Sequence, residues 1–471
     1  MELNTLDIEK IVKQVMQSVE AVETKPQCSN DGCGEGIFPT MEDAIDAAFI
    51  AQRQLLDCSM ADKDRFVKAI RNQLSKKENL EKISKMAVEE TGMGGYEYKL
   101  IKNKLAIDKT PGIEDLTTEA MAGDDGLTLV EYAPFGVIGA ITPTTNPTET
   151  IICNSISMIA AGNSVVFSPH PRAKGVSELT IRLINRALKE AGAPDNLVVS
   201  VKEPSIENAN IMMKHDKVKL LVATGGPGVV KAVLSSGKKA IGAGAGNPPV
   251  VVDETADIEK AAKDIVDGCS FDNNLPCIAE KEIIAVDQIA DYLIFNMKQH
   301  GAYEVKDQTI IDQLVKLVLN EKMKIKTEFV GKSAKYILSK IGIEVDDSVK
   351  VILMETDIDH PFVQTELMMP ILPLVRAKDV DTAIDMAVEV EHGNRHTAMM
   401  HSKNVDKLTR MAKLIQTTIF VKNGPSYAGI GVGGEGYTTF TIAGPTGEGL
   451  TSAKSFTRKR RCTLVGGFHI K

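Results

Sequence analysis

The sequence predicts an α/β protein made of two halves, each built around a mainly parallel sheet. Short apolar runs alternate with helical runs of roughly ten or more residues, the spacing of βαβ units. Loops rich in Gly and Pro, such as "TPTTNP" and "TGGPG", stand at the ends of several apolar runs. The 471 residues exceed what one hydrophobic core usually serves, so more than one domain is expected.

In chain order, the first element stands apart. In "MELNTLDIEKIVKQVMQSVEAVETKPQ" the apolar residues Ile8, Ile11, Val12, Val15, Met16, Val19 and Val22 trace one face of a helix, with Asn4, Thr5 and Asp7 as cap chemistry. "ETKPQCSNDGCGEG" then reads as a linker. Two readings fit the helix, one folded onto the body and one tethered and docking on another protein. Its polar face mixes Glu9, Lys10, Lys13 and Glu20, so a protein partner suits it better than a membrane surface.

"MEDAIDAAFIAQRQLLD" and "DRFVKAIRNQLSKKENLEKISKMAVEETG" follow as helices, then "LVEYAPFGVIGAITP" as strand, turn and strand. "PTETIICNSISMIAAG" reads as helix, "NSVVFSPHP" as a buried strand, "GVSELTIRLINRALKEAG" as helix, "NLVVSVK" as strand, "IENANIMMKH" as helix and "VKLLVATGG" as strand. Sheets of this kind bind ligands at the carboxyl ends of their strands, here the loops "TPTTNP", "SPHPRAKG" and "TGGPG". None is G-x-G-x-x-G. "GGPGVV" follows a strand and precedes a helix, which suits a pyrophosphate, although a plain βα turn uses the same glycines. The boundary between halves falls near residues 240–247, where Gly242, Gly244 and Gly246 alternate with alanines.

A net charge of −8, aromatic content of 4% and no Trp disfavour nucleic-acid binding. The seven cysteines are irregularly spaced and suit a reducing cytosol. Cys28 and Cys33 lack the second pair or His cluster of a metal site, so no metal is expected. No stretch has the ~18 apolar residues of a membrane span, nor is a cleaved secretory leader expected.

One cysteine stands out. Cys277 lies in "DNNLPCIAEKE", a loop leading into an apolar run, whereas Cys153 and Cys269 fall on helical apolar faces and read as buried hydrophobes. A thiol on a rigid loop can be solvated, and a lowered pKa there makes it a thiolate nucleophile.

"TPTTNPTE", "AAGNSV", "GAGNPPVVVDETAD", "SFDNNLPC", "TELMMP" and "PTGEG" occur in an order that resembles the aldehyde dehydrogenase superfamily from about residue 37 onward. The nearest resemblance is to the CoA-acylating acetaldehyde and propionaldehyde enzymes of bacterial microcompartments. The resemblance implies two Rossmann-like α/β domains plus a β oligomerisation arm. It divides the chain into an amphipathic helix and linker (1–36), an NAD-binding domain (37–243, with part of the arm near 120–135), a catalytic domain (244–443) and a C-terminal oligomerisation strand (444–471). By resemblance, Cys277 attacks the aldehyde and Asn146, with the Cys277 N–H, receives the oxyanion. Asn146 is also placed to cap the helix after Pro147. Glu366 matches the carboxylate that holds the nicotinamide ribose, though a turn carboxylate on the surface reads the same way.

Ser168 stands where many relatives carry a ribose-binding Lys. His170, Arg172 and Lys174 surround it, either as cofactor or CoA contacts or as solvated loop charges. Pro143, Thr144, Thr224 and Gly225 lie in the cofactor-binding loops. His396 matches a His frequent among acylating members, as an aid to CoA deprotonation or as a structural His. The sequence does not give the aldehyde chain length; the pocket that sets it is expected near Thr145, Leu275, Ile278 and Tyr427.

One departure selects the reaction. Hydrolytic members carry a Glu that activates water; here Ala243 takes its place, and no carboxylate occurs between Ala240 and Val252. A thiol needs far less activation than water, so transfer to CoA is expected over hydrolysis. The rivals are a hydrolytic NAD(P)-dependent dehydrogenase and a non-catalytic scaffold of the same fold. The expected partners are a small aldehyde, CoA, NAD, further copies of the chain and, through residues 1–20, a microcompartment shell or cargo protein. The expected location is cytoplasmic, inside a microcompartment.

Overall fold

A computed structural model describes residues 35–470. The amphipathic segment expected at residues 1–20, and Cys28 and Cys33, lie outside the described residues. The first part of the described chain supplies β1 (Ile37–Phe38), β2 (Glu119–Gly123), β3 (Gly126–Pro134), β4 (Val137–Thr142), β5 (Ser164–Pro169), β6 (Val198–Val201), β7 (Val218–Thr224) and β8 (Lys239–Ala243). The second supplies β9 (Pro249–Val252), β10 (Glu282–Val286), β11 (Ala302–Val305), β12 (Val351–Glu355), β13 (Ile371–Ala377), β14 (Thr397–His401) and β15 (Ile419–Lys422). A short hairpin, β16 (Ile442–Ala443) with β17 (Gly449–Leu450), precedes β18 (Thr457–Val465).

Two parallel sheets organise the molecule, ordered β1-β6-β5-β4-β7-β8 and β11-β12-β13-β10-β9-β14-β15. Each is buried on both faces, which is why their strands read as unbroken runs such as "PVVV" and "EIIAV" instead of alternating ones. In the first sheet the chain leaves β4 for β5 and β6 on one side, then crosses to β7 and β8 on the other. The loops after β5, β4 and β7 therefore lie side by side at the carboxyl edge, at a topological switch point.

The second sheet faces this edge with the opposite ends of its strands. Residues 246–248 lead into β9, 277–281 into β10, 366–370 into β13 and 396 into β14, and those four strands are neighbours. The space between the sheets is thus lined by the carboxyl ends of the first sheet's strands and the amino ends of the second's.

Three sequence expectations change. "DRFVKAIRNQLSKKENLEKISKMAVEETG" forms two helices, Met60–Leu74 and Lys77–Thr91. The buried stripe of Phe66, Val67, Ile70 and Leu74 lapses until Ile83, so no apolar face holds the chain straight across Ser75 and Lys76. "LVEYAPFGVIGAITP" gives two strands that part company: β3, within the stretch near 120–135 that the resemblance assigns to an arm, pairs antiparallel with β2 and β18 in a separate three-stranded sheet, while β4 enters the first sheet. The third change is an added helix, α1 (Tyr96–Lys109), whose buried face carries Lys99, Lys102 and Asn103 in its first half and apolar Leu105, Ala106 and Ile107 only after them.

Candidate active site

A cavity of about 770 Å³ opens between the two sheets. Its lining brings together Cys277, Asn146, Glu366, Ser168, His170, Arg172, Pro143, Thr144, Thr224, Gly225 and His396, together with Ala243. Helices α2 (Pro147–Ala160), α3 (Pro227–Leu234) and α4 (Ile258–Ser270) set the positions of these groups.

Cys277 follows α4 through a contorted turn. Asp272, Asn273 and Asn274 have φ of 50°, 54° and 64°, the left-handed region that costs roughly 1–2 kcal/mol for a non-Gly residue and that Asn and Asp tolerate best. Side chains hold each one. Asp272 Oδ1 accepts from Gly95 N at 2.8 Å, and Asn273 Nδ2 donates to Gly331 O at 2.9 Å. Asn274 Nδ2 donates to the carbonyls of Cys269 and Glu280, both at 2.9 Å, while its Oδ1 accepts from the buried Lys281 ammonium. The turn is thereby fixed before any ligand arrives.

The electrostatics of the thiol differ from expectation. Burial pushes the Cys277 pKa up to about 12; Glu366 adds to the rise, and Lys281 and Lys102 oppose it. The side chain is partly exposed to the cavity, but its surroundings are apolar and desolvate the thiolate. At rest Cys277 is a neutral thiol. Cys153 and Cys269 are buried as expected, and burial raises both.

Asn146 sits at the start of α2, yet its side chain makes no cap hydrogen bond. Pro147 supplies the first helical residue without an N–H to satisfy, and the Asn146 carbonyl accepts from Thr150 N and Oγ1. The side chain, relieved of capping, faces the cavity with its Oδ1 held by Lys102 Nζ at 2.6 Å.

Glu366 is partly buried, and desolvation raises its pKa, against which Lys281 and the Gly246 N–H act; that N–H donates to its Oε1 at 3.2 Å. It is a carboxylate lining the cavity, not a surface turn residue. His396 is buried. Burial, aided by Lys281, lowers its pKa to about 4, so the ring is neutral. Its Nδ1 lies 2.9 Å from Thr397 Oγ1, while Nε2 has no protein partner among the described residues.

The loops of the first sheet fit a dinucleotide. A side-chain carbon added to Gly225, Gly226 or Gly228 would meet no protein atom within 4 Å, so this backbone faces open cavity at the N-terminus of α3. The Gly225 N–H is taken by Ala243 O at 3.1 Å, which leaves the N–H groups of Gly226 and Gly228 as the donors for a phosphate. His170 Nδ1 accepts from Arg172 N at 3.1 Å and Arg172 donates to Thr91 O at 3.3 Å, so both brace the loop they line. Lys174 pairs with Glu203 at 2.6 Å and does not line the cavity.

Of the residues expected to set substrate length, Thr145 and Leu275 line the cavity. Ile278 and Tyr427 do not: Ile278 turns into the core, and Tyr427 packs on Phe271 with ring centroids 5.1 Å apart. Met93, Ile325, Val330, Met368, Phe440 and Ile442 supply apolar wall instead. They come from distant parts of the chain and carry no local signal. Lys99, Lys102 and Lys281 also escaped the sequence reading; the lysines three apart in "YKLIKNKL" were the one available sign.

The profile of the aldehyde dehydrogenase family matches residues 38–447. A propanal dehydrogenase (CoA-propanoylating) from Citrobacter freundii is 50% identical over 470 residues, spanning the whole of both chains. Among solved structures, the Rhodopseudomonas palustris propionaldehyde dehydrogenase with bound CoA and an acylated cysteine is 72% identical, with a TM-score of 0.91 over 92% of this chain and 99% of that one. A propionaldehyde dehydrogenase from the Clostridium phytofermentans fucose utilisation bacterial microcompartment is 54% identical, with a TM-score of 0.90 over 93% of this chain and 100% of that one.

Proposed function

The chain belongs to the aldehyde dehydrogenase family, and from that premise we propose how its own residues make it an NAD-dependent, CoA-acylating enzyme for a short-chain aldehyde. One observation carries the choice of reaction. Cys277 and Asn146 share a cavity in which Ala243 occupies the place of a water-activating carboxylate, and Glu366 is the one carboxylate among the described lining residues. Its Oε1 is engaged by the Gly246 N–H.

Cys277 Sγ, on losing its proton, adds to the aldehyde carbonyl carbon and gives a thiohemiacetal. Asn146 Nδ2 and the Cys277 N–H receive the oxyanion, where donors placed in advance count most. NAD, when bound, supplies the hydride acceptor. Glu366 and the loops bearing Ser168, Thr224 and Gly225 hold it, with Pro143 and Thr144 as wall. The acyl thioester left on Cys277 meets a mainly apolar wall whose one carboxylate among the described residues, Glu366, is already engaged by the Gly246 N–H. CoA, a far better nucleophile near neutral pH, takes the acyl group and restores the thiol. His396, neutral and with Nε2 unpartnered, is suited to accept the CoA thiol proton; Arg172 at the cavity rim suits a phosphate.

In this reading residues 37–243 bind the dinucleotide, 244–443 carry the nucleophile, and the arm of β2, β3 and β18 joins subunits. β18 is an edge strand with Leu464 and Val465 exposed, the kind of edge that another chain covers. Residues 1–20, amphipathic by sequence, serve as a tag for a microcompartment shell or cargo protein, in keeping with the microcompartment relative. A fluorescent protein fused to residues 1–20 tests that assignment by its retention in, or exclusion from, purified shells.

NADH formation from propanal with and without CoA tests the reaction. Sustained turnover is expected only with CoA; equal rates in its absence would reject the assignment.

A further inference from the structure

Two lysines point into the core from α1. Lys99 and Lys102 are fully buried, as are Glu149 on α2 and Asp272 in the turn before Cys277. Lys102 Nζ lies 2.5 Å from Asp272 Oδ2 and 3.1 Å from Glu149 Oε1; Lys99 Nζ lies 3.3 and 3.8 Å from the same oxygens. Lys99 also donates to Thr145 O at 2.6 Å. The four charges balance, two against two.

Such a cluster is a poor way to gain stability, because apolar residues of similar volume fill a core at least as well without the desolvation penalty. What these charges touch is more informative. They reach the residue before Asn146, the Asn146 side chain itself and the first residue of the nucleophile turn. α1 thus ties the β4–α2 loop of one sheet to the Cys277 loop of the other.

The contact with Asn146 fixes a direction. An amide side chain can be reversed end for end unless a neighbour distinguishes oxygen from nitrogen. An ammonium has only hydrogens to give, so it selects Oδ1 and sends Nδ2 the other way. There Nδ2 donates to Thr145 Oγ1 at 3.3 Å, which leaves its second hydrogen for the cavity. A cation on the amide oxygen also strengthens the N–H groups as donors. Asp272 and Glu149 outweigh the burial of Lys102 and keep it charged.

We propose that Lys102 is a positioning residue for the oxyanion step: by holding Asn146 Oδ1 it aims and polarises the Nδ2 donor, and by pairing with Asp272 it sets that donor relative to Cys277. This rests on the reading of Asn146 as oxyanion donor given above. Both tetrahedral species in the cycle, that of aldehyde addition and that of CoA attack on the thioester, depend on it.

The test compares K102M, the charge-balanced K102M/E149Q, N146A and the triple variant K102M/E149Q/N146A. Single-turnover NADH formation, thiolysis of the acyl-enzyme by CoA and NADH affinity by fluorescence are measured for each. Loss of an oxyanion donor costs on the order of 100- to 1,000-fold. Lys102 removal is expected to slow both chemical steps about 10- to 100-fold, with NADH affinity within about twofold of the parent. N146A added to K102M/E149Q is expected to slow it far less than N146A slows the parent. Rates near the parent's in K102M/E149Q, or losses that multiply fully, would overturn the proposal. Failure of both Lys102 variants to bind NADH would also overturn it, making the residue a fold element only. N146A at parental rates would instead remove the reading of Asn146 on which the proposal stands.

Discussion

His396 stands against Gly246 so closely that no side chain fits between them. A carbon added to Gly246 would lie 2.8 Å from His396 Cγ and 3.0 Å from the carbonyl oxygen of Cys277. The glycine at the entrance to β9 is therefore what lets three adjacent strands of the second sheet bring backbone, imidazole and the Cys277 residue together.

Replacing Gly246 by Ala is expected to displace either His396 or the Cys277 loop, and neither can move without cost, since Asn274 pins the loop and Thr397 and Glu391 bind the His396 residue. A displacement of about 1 Å at a reacting centre costs on the order of 100-fold. The Gly246→Ala enzyme should lose at least tenfold in propanal oxidation while still folding and binding NADH. Parental kcat would mean that the close approach has no bearing on catalysis.

The raised pKa of Cys277 has a direct consequence for its reactivity. Only the thiolate alkylates, and with a pKa near 12 the thiolate fraction grows roughly tenfold per pH unit throughout the ordinary range. Iodoacetamide labelling of the free enzyme at Cys277, followed by mass spectrometry, should climb from pH 7 to pH 9.5 without a plateau. Glu366→Gln removes a charge that disfavours the thiolate, so labelling at fixed pH should quicken. A plateau near pH 8 would show an activated resting thiolate.

Legibility in the sequence followed the range of the interactions. Strands buried on both faces, and the glycines and prolines at their ends, are local features, so the two parallel sheets could be read from short windows. The loop residues Asn146, Cys277 and Glu366 were legible because a resemblance fixes motif order, and the structure brings them to one cavity. What escaped depended on tertiary contacts. The first half of α1 shows no apolar stripe because its inward lysines pair with Glu149 and Asp272, residues about 50 and 170 positions away. The Cys277 pKa was expected to fall because a loop suggests solvent; burial of that loop between the sheets reverses the sign. The cap that Asn146 is also placed to make before Pro147 does not form, and only the structure shows its side chain held by Lys102.

Glu280 links stability to pH. It is buried and accepts from Ser426 N and Oγ, both at 2.7 Å, and burial pushes its pKa up to about 7. The folded chain therefore holds a proton that the unfolded chain has already released above its ordinary carboxylate pKa. The stabilisation this proton gives is complete in acid and is lost as the pH rises through about 7. Glu280→Gln keeps the neutral form at every pH. Relative to the parent, the variant should gain on the order of 3 kcal/mol between pH 5 and pH 8.5, read from urea midpoints. Parallel pH profiles for the two proteins would show that Glu280 is ionised in the fold.

The alanine at position 243 makes a final, stricter demand. If Ala243 is why the enzyme cannot hydrolyse its own intermediate, then propanal and NAD without CoA should give a burst of about one NADH per subunit and stop. Intact mass should then show one propanoyl group, and digestion should place it on Cys277. Ala243 is buried in the cavity wall at the end of β8, so Glu in its place brings a carboxylate into the same space. General-base assistance is worth on the order of 100- to 10,000-fold. Ala243→Glu should therefore turn the stalled burst into slow steady formation of propanoate, at least tenfold above the parent, with the acyl mass no longer accumulating. Were the variant to stall with its propanoyl group intact, the missing carboxylate would not be what commits the parent to CoA, and the choice of acceptor would have to come from exclusion of water by the apolar wall.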